Sequence, residues 1–204
     1  MLAHNKIDVD IFLLDQNDSS ELIVNGDFEV ADESGVPVGW MSGEEDNFRR
    51  CSANDSRMDE NSLPYNGKWM ACFHDAKSHY YVYQNVDISS YARAVDWSNV
   101  LVNATGYFRL DQNSTYTNQI NLKIKFLDSR RNEIPGSKYD SGAPHPATWT
   151  LYGIENHVIP TRARYIQIRF NIWGQQKIAG TADAFSIKIK GNILPEDVRM
   201  KLFR

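Results

Sequence analysis

The residue types best equipped to make and break bonds fall in one short stretch: Cys72, His74, Asp75 and His79. On an extended strand Cys72 and His74 share a face, which sets a thiol beside an imidazole. A working nucleophile also needs activation and donors for a developing oxyanion, and nothing nearby supplies them. As zinc ligands, Cys51, Cys72, His74 and His79 lack the closely paired cysteines of common sites. The 26 acids are scattered, so no carboxylate pair for glycoside hydrolysis stands out, and no Gly-rich phosphate loop is present. These residues point away from an enzyme. Cys51 and Cys72 are the only cysteines, enough for one disulfide or two free thiols. Met1 to Asp15 holds a single four-residue apolar run, Ile11 to Leu14, behind Asp8 and Asp10, and shows no export signal. That absence favours free thiols.

Recognition chemistry is better represented. Between Val100 and Leu110, Asn103, Thr105, Tyr107 and Arg109 alternate with apolar positions, and Gln167, Arg169, Asn171 and Trp173 alternate with Ile166, Ile168, Phe170 and Ile172. Lys123 and Lys125 do the same between Leu122, Ile124 and Phe126. Rings stack on the C–H faces of sugars while amides and guanidinium groups read hydroxyls. The row Asn103, Thr105, Tyr107, Arg109, Lys123, Lys125, Gln167, Arg169, Asn171 and Trp173 is therefore expected to line one concave sheet face. The same residues suit a solvated sandwich face or a contact with another subunit.

The elements that must carry these side chains are strands. Period-two alternation dominates, and no stretch of a dozen residues holds a 3.6-residue apolar period. It predicts strands over Ile7–Leu13, Tyr80–Val86, Val100–Leu110, Ile120–Phe126, Ile166–Ile172 and Phe185–Ile189, with the facing of Tyr80–Val86 and Phe185–Ile189 ambiguous. Turn chemistry marks loops at Asp32–Gly39, Asn54–Gly67, Asp128–Gly136 and Tyr139–Pro146. Ser90–Ser98 predicts a helical turn, and Pro195-Glu196-Asp197 a short C-terminal helix. The fold class is all-β, an antiparallel β-sandwich, and long loops between short strands suit a jelly roll.

Composition agrees. The chain of 204 residues is 42% hydrophobic, 24% charged and 12% aromatic, with 10 Tyr, 9 Phe and 5 Trp, which is enough for one well-filled core. A net charge of −4 gives no long-range pull on nucleic acid or on anionic lipid, and no apolar run is long enough for membrane insertion. Sequons stand at Asn17, Asn54, Asn103 and Asn113; without an export signal they reflect the Asn, Ser and Thr content of β surfaces.

The segment Leu22 to Trp40, LIVNGDFEVADESGVPVGW, resembles the opening of carbohydrate-binding modules of the galactose-binding-like jelly-roll family: an apolar run, Asn-Gly-x-Phe-Glu, a variable loop, then Gly-Trp. Further blocks follow in the family's order. Asn66-Gly67-Lys68-Trp69 looks like its Ser-Gly-Lys-Tyr strand entry, and Val82 to Ile88 (VYQNVDI) like its Gln-x-Val strand. Ile159 to Ile166 looks like its Val-Pro-x-Gly-Thr-Arg lead-in, and Asp183 to Ile187 like its closing Asp-Asn-Val-Ser-Leu. The resemblance covers residues 22–190, between an N-terminal arm (1–21) and a C-terminal tail (191–204). It implies a jelly roll whose first and last strands lie side by side, and a glycan ligand.

It also implies a structural calcium ion, with Glu29 and Asp183 as carboxylate ligands and backbone oxygens from Asp27 and Lys68, since calcium takes six to eight oxygens. Ala184 replaces the family's second polar residue, which removes one ligand. Some members of the fold bind sugars at loop tips. Trp40 and Trp69 sit at motif positions that pack inside, which leaves Trp97, Trp149 and Tyr152 as exposed tip candidates. The alternative to glycan binding is a structural or adhesion subunit of a virion, tail fibre or surface assembly, joined to protein subunits through the jelly roll.

Overall fold

The computed structural model describes residues 20–43, 48–53, 63–76, 79–97, 100–110, 119–142, 146–173 and 178–191. The expected first strand (Ile7–Leu13), the C-terminal helix and the sequons at Asn17, Asn54 and Asn113 lie outside the described residues. Among the described residues ten strands form: β1 Met41–Ser42, β2 Phe48–Ser52, β3 Trp69–Ala76, β4 His79–Asp87, β5 Leu101–Leu110, β6 Gln119–Leu127, β7 Glu133–Asp140, β8 Thr150–Val158, β9 Tyr165–Trp173 and β10 Ile178–Lys190. A 3-10 turn, Ser89–Tyr91, runs into α1, Ala92–Trp97, where a helical turn is predicted.

The strands make two five-stranded sheets, in the orders β1-β4-β9-β6-β7 and β2-β3-β10-β5-β8, and every pairing is antiparallel. Alternation sets the core between them. Ile120, Leu122, Ile124 and Phe126 of β6 and Ile166, Ile168, Phe170 and Ile172 of β9 face Val102, Ala104 and Phe108 of β5 and Phe185, Ile187 and Ile189 of β10, all buried. Each such Ile or Phe contributes about 1.5–3 kcal/mol of burial. The rings of Phe108 and Phe170 meet across the sheets at 4.8 Å.

The family-like blocks have physical reasons. Phe28, Trp40 and Phe185 form a triangle of rings 4.8–5.7 Å apart, so Phe-Glu, Gly-Trp and the last strand depend on one another. Asn25 accepts from Val30 N–H and donates its amide to the carbonyls of Val30 and Val38, closing the variable loop. Gly26 lies against the carbonyl of Phe185, where a Cβ would collide. Gln84 of Gln-x-Val is buried and pairs its amide with both backbone groups of Val24, at 2.8 and 2.9 Å. Leu22 N–H donates to Ile187 and Phe185 N–H to Gly26, so the opening segment runs beside the last strand as expected.

β7 corrects the sequence reading, which leaves Asp128–Gly136 and Tyr139–Pro146 as loops. It is an edge strand, mostly exposed, with Pro135 and Gly136 inside it. An edge tolerates Pro, and an exposed strand shows no apolar alternation. The thiol reading is also corrected. Cys51 and Cys72 form a disulfide, because the β2–β3 register sets Cys51 opposite Met70 and so one step diagonal to Cys72 on the same face, Cα atoms 5.9 Å apart. The bridge removes Cys72 as a nucleophile and both cysteines as zinc ligands. The side chains of His74, Asp75 and His79 lie outside the described residues.

Candidate functional site

The expected single row of polar and aromatic residues is divided between two outer faces. Tyr107 and Arg109, with Asn103 and Thr105, stand on β5 in one sheet, and Gln167, Arg169, Asn171 and Trp173 stand on β9 in the other, with Lys123 and Lys125 beside them on β6. The two sets point away from each other across the core.

On the β1-β4-β9-β6-β7 sheet, register assembles rows across the outer face: Tyr83, Arg169, Lys123 and Asp140; Tyr81, Asn171 and Asn121; Asn85, Gln167, Lys125 and Lys138. The Arg169 guanidinium lies 3.4 Å over the ring of Tyr81, and its Nε donates to Asn171 Oδ1 at 2.6 Å. Asn171 in turn donates to Asn121 Oδ1 at 3.0 Å, and Asn121 donates to Asp140 and to the carbonyl of Gly142. A chain of amides thus fixes the orientation of one guanidinium on one ring. Gln167 donates to Asn85 at 2.9 Å. Lys123 and Lys125 reach Asp140 and Glu133 at 3.4 and 2.6 Å.

Asn171 is fully buried, so it holds Arg169 and does not itself reach a ligand. Trp173 shares this face, opposite His79 and Gln119. Tyr81, Tyr83 and Asn85 are members that sequence reasoning missed. The run Tyr80-Tyr81-Val82-Tyr83 hides its period because both faces carry apolar rings; in the structure Tyr80 and Val82 are buried and Tyr81 and Tyr83 face outward.

The opposite face is covered by the chain itself. Residues 63–68 cross it: Tyr65 stacks on Tyr107 at 3.6 Å and 16°, Trp149 meets Tyr65 edge-on at 6.1 Å and donates its indole N–H to the carbonyl of Leu63, and Arg109 lies 5.4 Å from the centre of the Trp149 ring. Under them the disulfide, Met70 and Trp149 form a small second core on the outside of the sheet. Trp149 is therefore a packing residue rather than an open loop tip. So is Tyr152, which stands opposite Gly106 on the core side and packs on Phe108 at 5.8 Å; burial raises its phenol above its ordinary value. Trp97, the last residue of α1, is the exposed one at 83%. Trp40 is buried as expected, while Trp69 is half-buried beneath Arg50, 4.0 Å away. A shallow cavity of about 530 Å³ opens beside Trp69, lined by Ser52, Ala53, Leu63, Pro64, Gly67 and Lys68.

The residues expected to hold calcium gather at the foot of the covering segment. Glu29 Oε1 accepts from the N–H groups of Lys68 (2.6 Å) and Trp69 (2.9 Å), and Asp183 accepts from Asn66 and Ala184 at 2.9 and 2.7 Å. Burial pushes the Asp183 carboxyl up to about 7, against those N–H donors and with a further push from the charge of Asp27. A buried carboxylate with a second acid close by is chemistry that a cation satisfies, while the peptide N–H groups on these oxygens compete for the lone pairs it would use. Among the described residues, however, no three acidic, His or Cys side chains converge on one point, so peptide oxygens would have to supply much of a calcium shell. The donor set suits calcium in kind and falls short in number of carboxylates.

No family model and no curated protein matches the chain. Solved structures do. The carbohydrate-binding module TmCBM61, in complex with β-1,4-galactotriose, is 18% identical over 83% of this chain and 98% of its own, with a TM-score of 0.55. A cyclase from Fischerella sp. TAU is 11% identical over 87% of this chain and all of its own, with a TM-score of 0.60. The enzymatically active domain of tailspike protein 4 from bacteriophage CBA120 is 15% identical over 82% of this chain but only 21% of its own, with a TM-score of 0.53. At these identities the likeness is one of fold: the chain is a jelly-roll β-sandwich of the kind carbohydrate-binding modules use, on a scaffold that also serves enzymes.

Proposed function

We propose that this protein is a non-catalytic glycan-binding module that takes its ligand on the outer face of the β1-β4-β9-β6-β7 sheet. The observation that carries the reading is the chain Tyr81–Arg169–Asn171–Asn121: an oriented guanidinium on a ring, backed by buried amides, on a face that also carries Tyr83, Asn85 and Gln167. Such a face offers the ring of Tyr83 and hydroxyl-reading groups at little entropic cost, because the side chains are already held. The likeness to a module that binds galactotriose supports the same class of ligand. A glycan array followed by calorimetry tests it. Saccharide binding that falls roughly tenfold or more in Arg169→Ala, at unchanged fold, is the expected result; an array without a hit at high protein concentration overturns it.

Calcium belongs to this reading as a structural ion at the Glu29–Asp183 corner, with Asp27 and Lys68 contributing oxygens and the ion neutralising the buried Asp183. Adding calcium to metal-stripped protein is expected to raise its melting temperature, and Asp183→Asn to remove the rise. Identical melting with and without the ion would count against it.

A second reading, a subunit of a virion, tail fibre or surface assembly, draws support from Trp97, since an exposed Trp is a common anchor of protein interfaces. Concentration-dependent association by light scattering, lost in Trp97→Ala, is what it requires.

A further inference from the structure

We infer that the glycan taken on this face is an acidic one, carrying carboxylate or sulfate groups; the inference rests on the glycan-binding reading above. The argument starts from register. Lys123 stands directly opposite Arg169, and in the next row Lys125 stands directly opposite Lys138. Like charges directly opposed on one face of an antiparallel pair repel, so a sheet selected for stability alone would avoid two such pairs in adjacent rows. Arg131 adds to them from the β6–β7 turn, lying 5.1 Å over the ring of Tyr165. Among the described residues of these rows, three acids stand beside the five cations: Asp140 beside Lys123, Glu133 beside Lys125, and Asp87, whose carboxyl is held below its ordinary value mainly by Ser89, with Arg131 contributing.

The described rows of β6, β7 and β9 are therefore positive, while the chain as a whole carries a net charge of −4. This local reversal matters because a neutral sugar gains nothing from ammonium groups beyond ordinary hydrogen bonds. A carboxylate or sulfate gains charge-assisted bonds of about twice the strength of neutral ones. Arg169 is the best placed of these groups. Its planar fork suits an oxyanion, and Tyr81 and Asn171 hold it in position before any ligand arrives. Tyr83, Asn85 and Gln167 between the cations supply the ring and amides that a sugar needs and a bare polyanion does not use. The surrounding negative charge of the molecule disfavours a long polyphosphate, whose many charges extend beyond the patch.

Calorimetry of the full chain against four probes tests the inference: oligogalacturonate, a sulfated dextran, a neutral galacto-oligosaccharide and poly-L-glutamate, each at low and high salt. Affinity for one of the acidic saccharides is expected to exceed that for the neutral one by roughly tenfold or more and to fall with salt, as screening of opposite charges demands. Which acidic saccharide is preferred tells carboxylate from sulfate. Lys138→Gln, an exposed change that relieves the repulsion with Lys125, is expected to keep the fold while weakening acidic binding several-fold and flattening its salt dependence. Equal or tighter binding of the neutral saccharide overturns the acidic class and leaves the glycan-binding reading standing. Binding of no saccharide overturns both. Poly-L-glutamate binding as tightly as the acidic saccharides also overturns the inference, because the face would then read charge alone.

Discussion

At the scale of single residues, the question is which side chains on the β4–β9–β6 face meet a ligand and which hold those that do. Gln167, Arg169 and Asn171 were legible as one alternating set, because each is flanked by Ile or Phe. Their division of labour was not, because burial depends on neighbouring strands. Asn171 is fully buried, with Asn121 on one side and Arg169 on the other. Replacing it with Ala removes a partner from two polar groups, at a cost of about 1–3 kcal/mol in unfolding free energy. It also frees Arg169 from its fixed pose on Tyr81, so glycan affinity is expected to fall with stability. Denaturant unfolding and calorimetry on Asn171→Ala measure the two together. A loss of stability with unchanged affinity would make the amide chain scaffolding alone. Glu29 and Asp183 show a different limit. Sequence placed both at one corner through the ordered motifs, but the peptide N–H groups that occupy their oxygens come from Asn66, Lys68, Trp69 and Ala184, and no side-chain pattern announces those.

At the scale of elements, period two finds strands but does not assign them to sheets. β5 and β9 share one design, apolar on one side and Tyr, Arg or Asn on the other, and this placed Tyr107 and Arg109 beside Arg169 and Trp173 on one expected face. Which sheet a strand joins is decided by pairing with strands far away in sequence: β5 with β10 and β8, β9 with β4 and β6. The disulfide was missed for a related reason, since its geometry is a property of the β2–β3 register. It closes a loop over a sequence separation of 21 and fastens the origin of the segment that crosses the β5 face. For a loop of that length the unfolded chain is restrained by roughly 3 kcal/mol. Adding reductant is expected to lower the unfolding free energy by about that amount, and Cys51→Ala/Cys72→Ala to abolish the difference. Unfolding curves that superimpose with and without reductant would show that the bridge is not formed in solution.

At the scale of the molecule, the sandwich has two outer faces, and the chain uses them differently. One is covered by residues 63–68, which place Tyr65 on Tyr107 and rest Trp149 against the disulfide. The other carries the ring, amides and cations argued above to meet a glycan. Tyr107 gives one ring face to Tyr65 and Trp149 rests on the disulfide, so these rings contribute to stability, although Tyr65 itself stays exposed at 44%. Tyr65→Ala is expected to cost about 0.5–1.5 kcal/mol through the lost stack, with more from uncovering the second core. It should leave saccharide affinity where it was, because the core separates Tyr65 from Arg169. Arg169→Ala is expected to lower affinity, with a stability cost of about 1–3 kcal/mol because it leaves the fully buried Asn171 Oδ1 without its donor. Thermal melting and calorimetry on the two variants side by side decide which face is the ligand's. The opposite pattern, with affinity lost in Tyr65→Ala and kept in Arg169→Ala, would move the site to the β5 face and make residues 63–68 part of it.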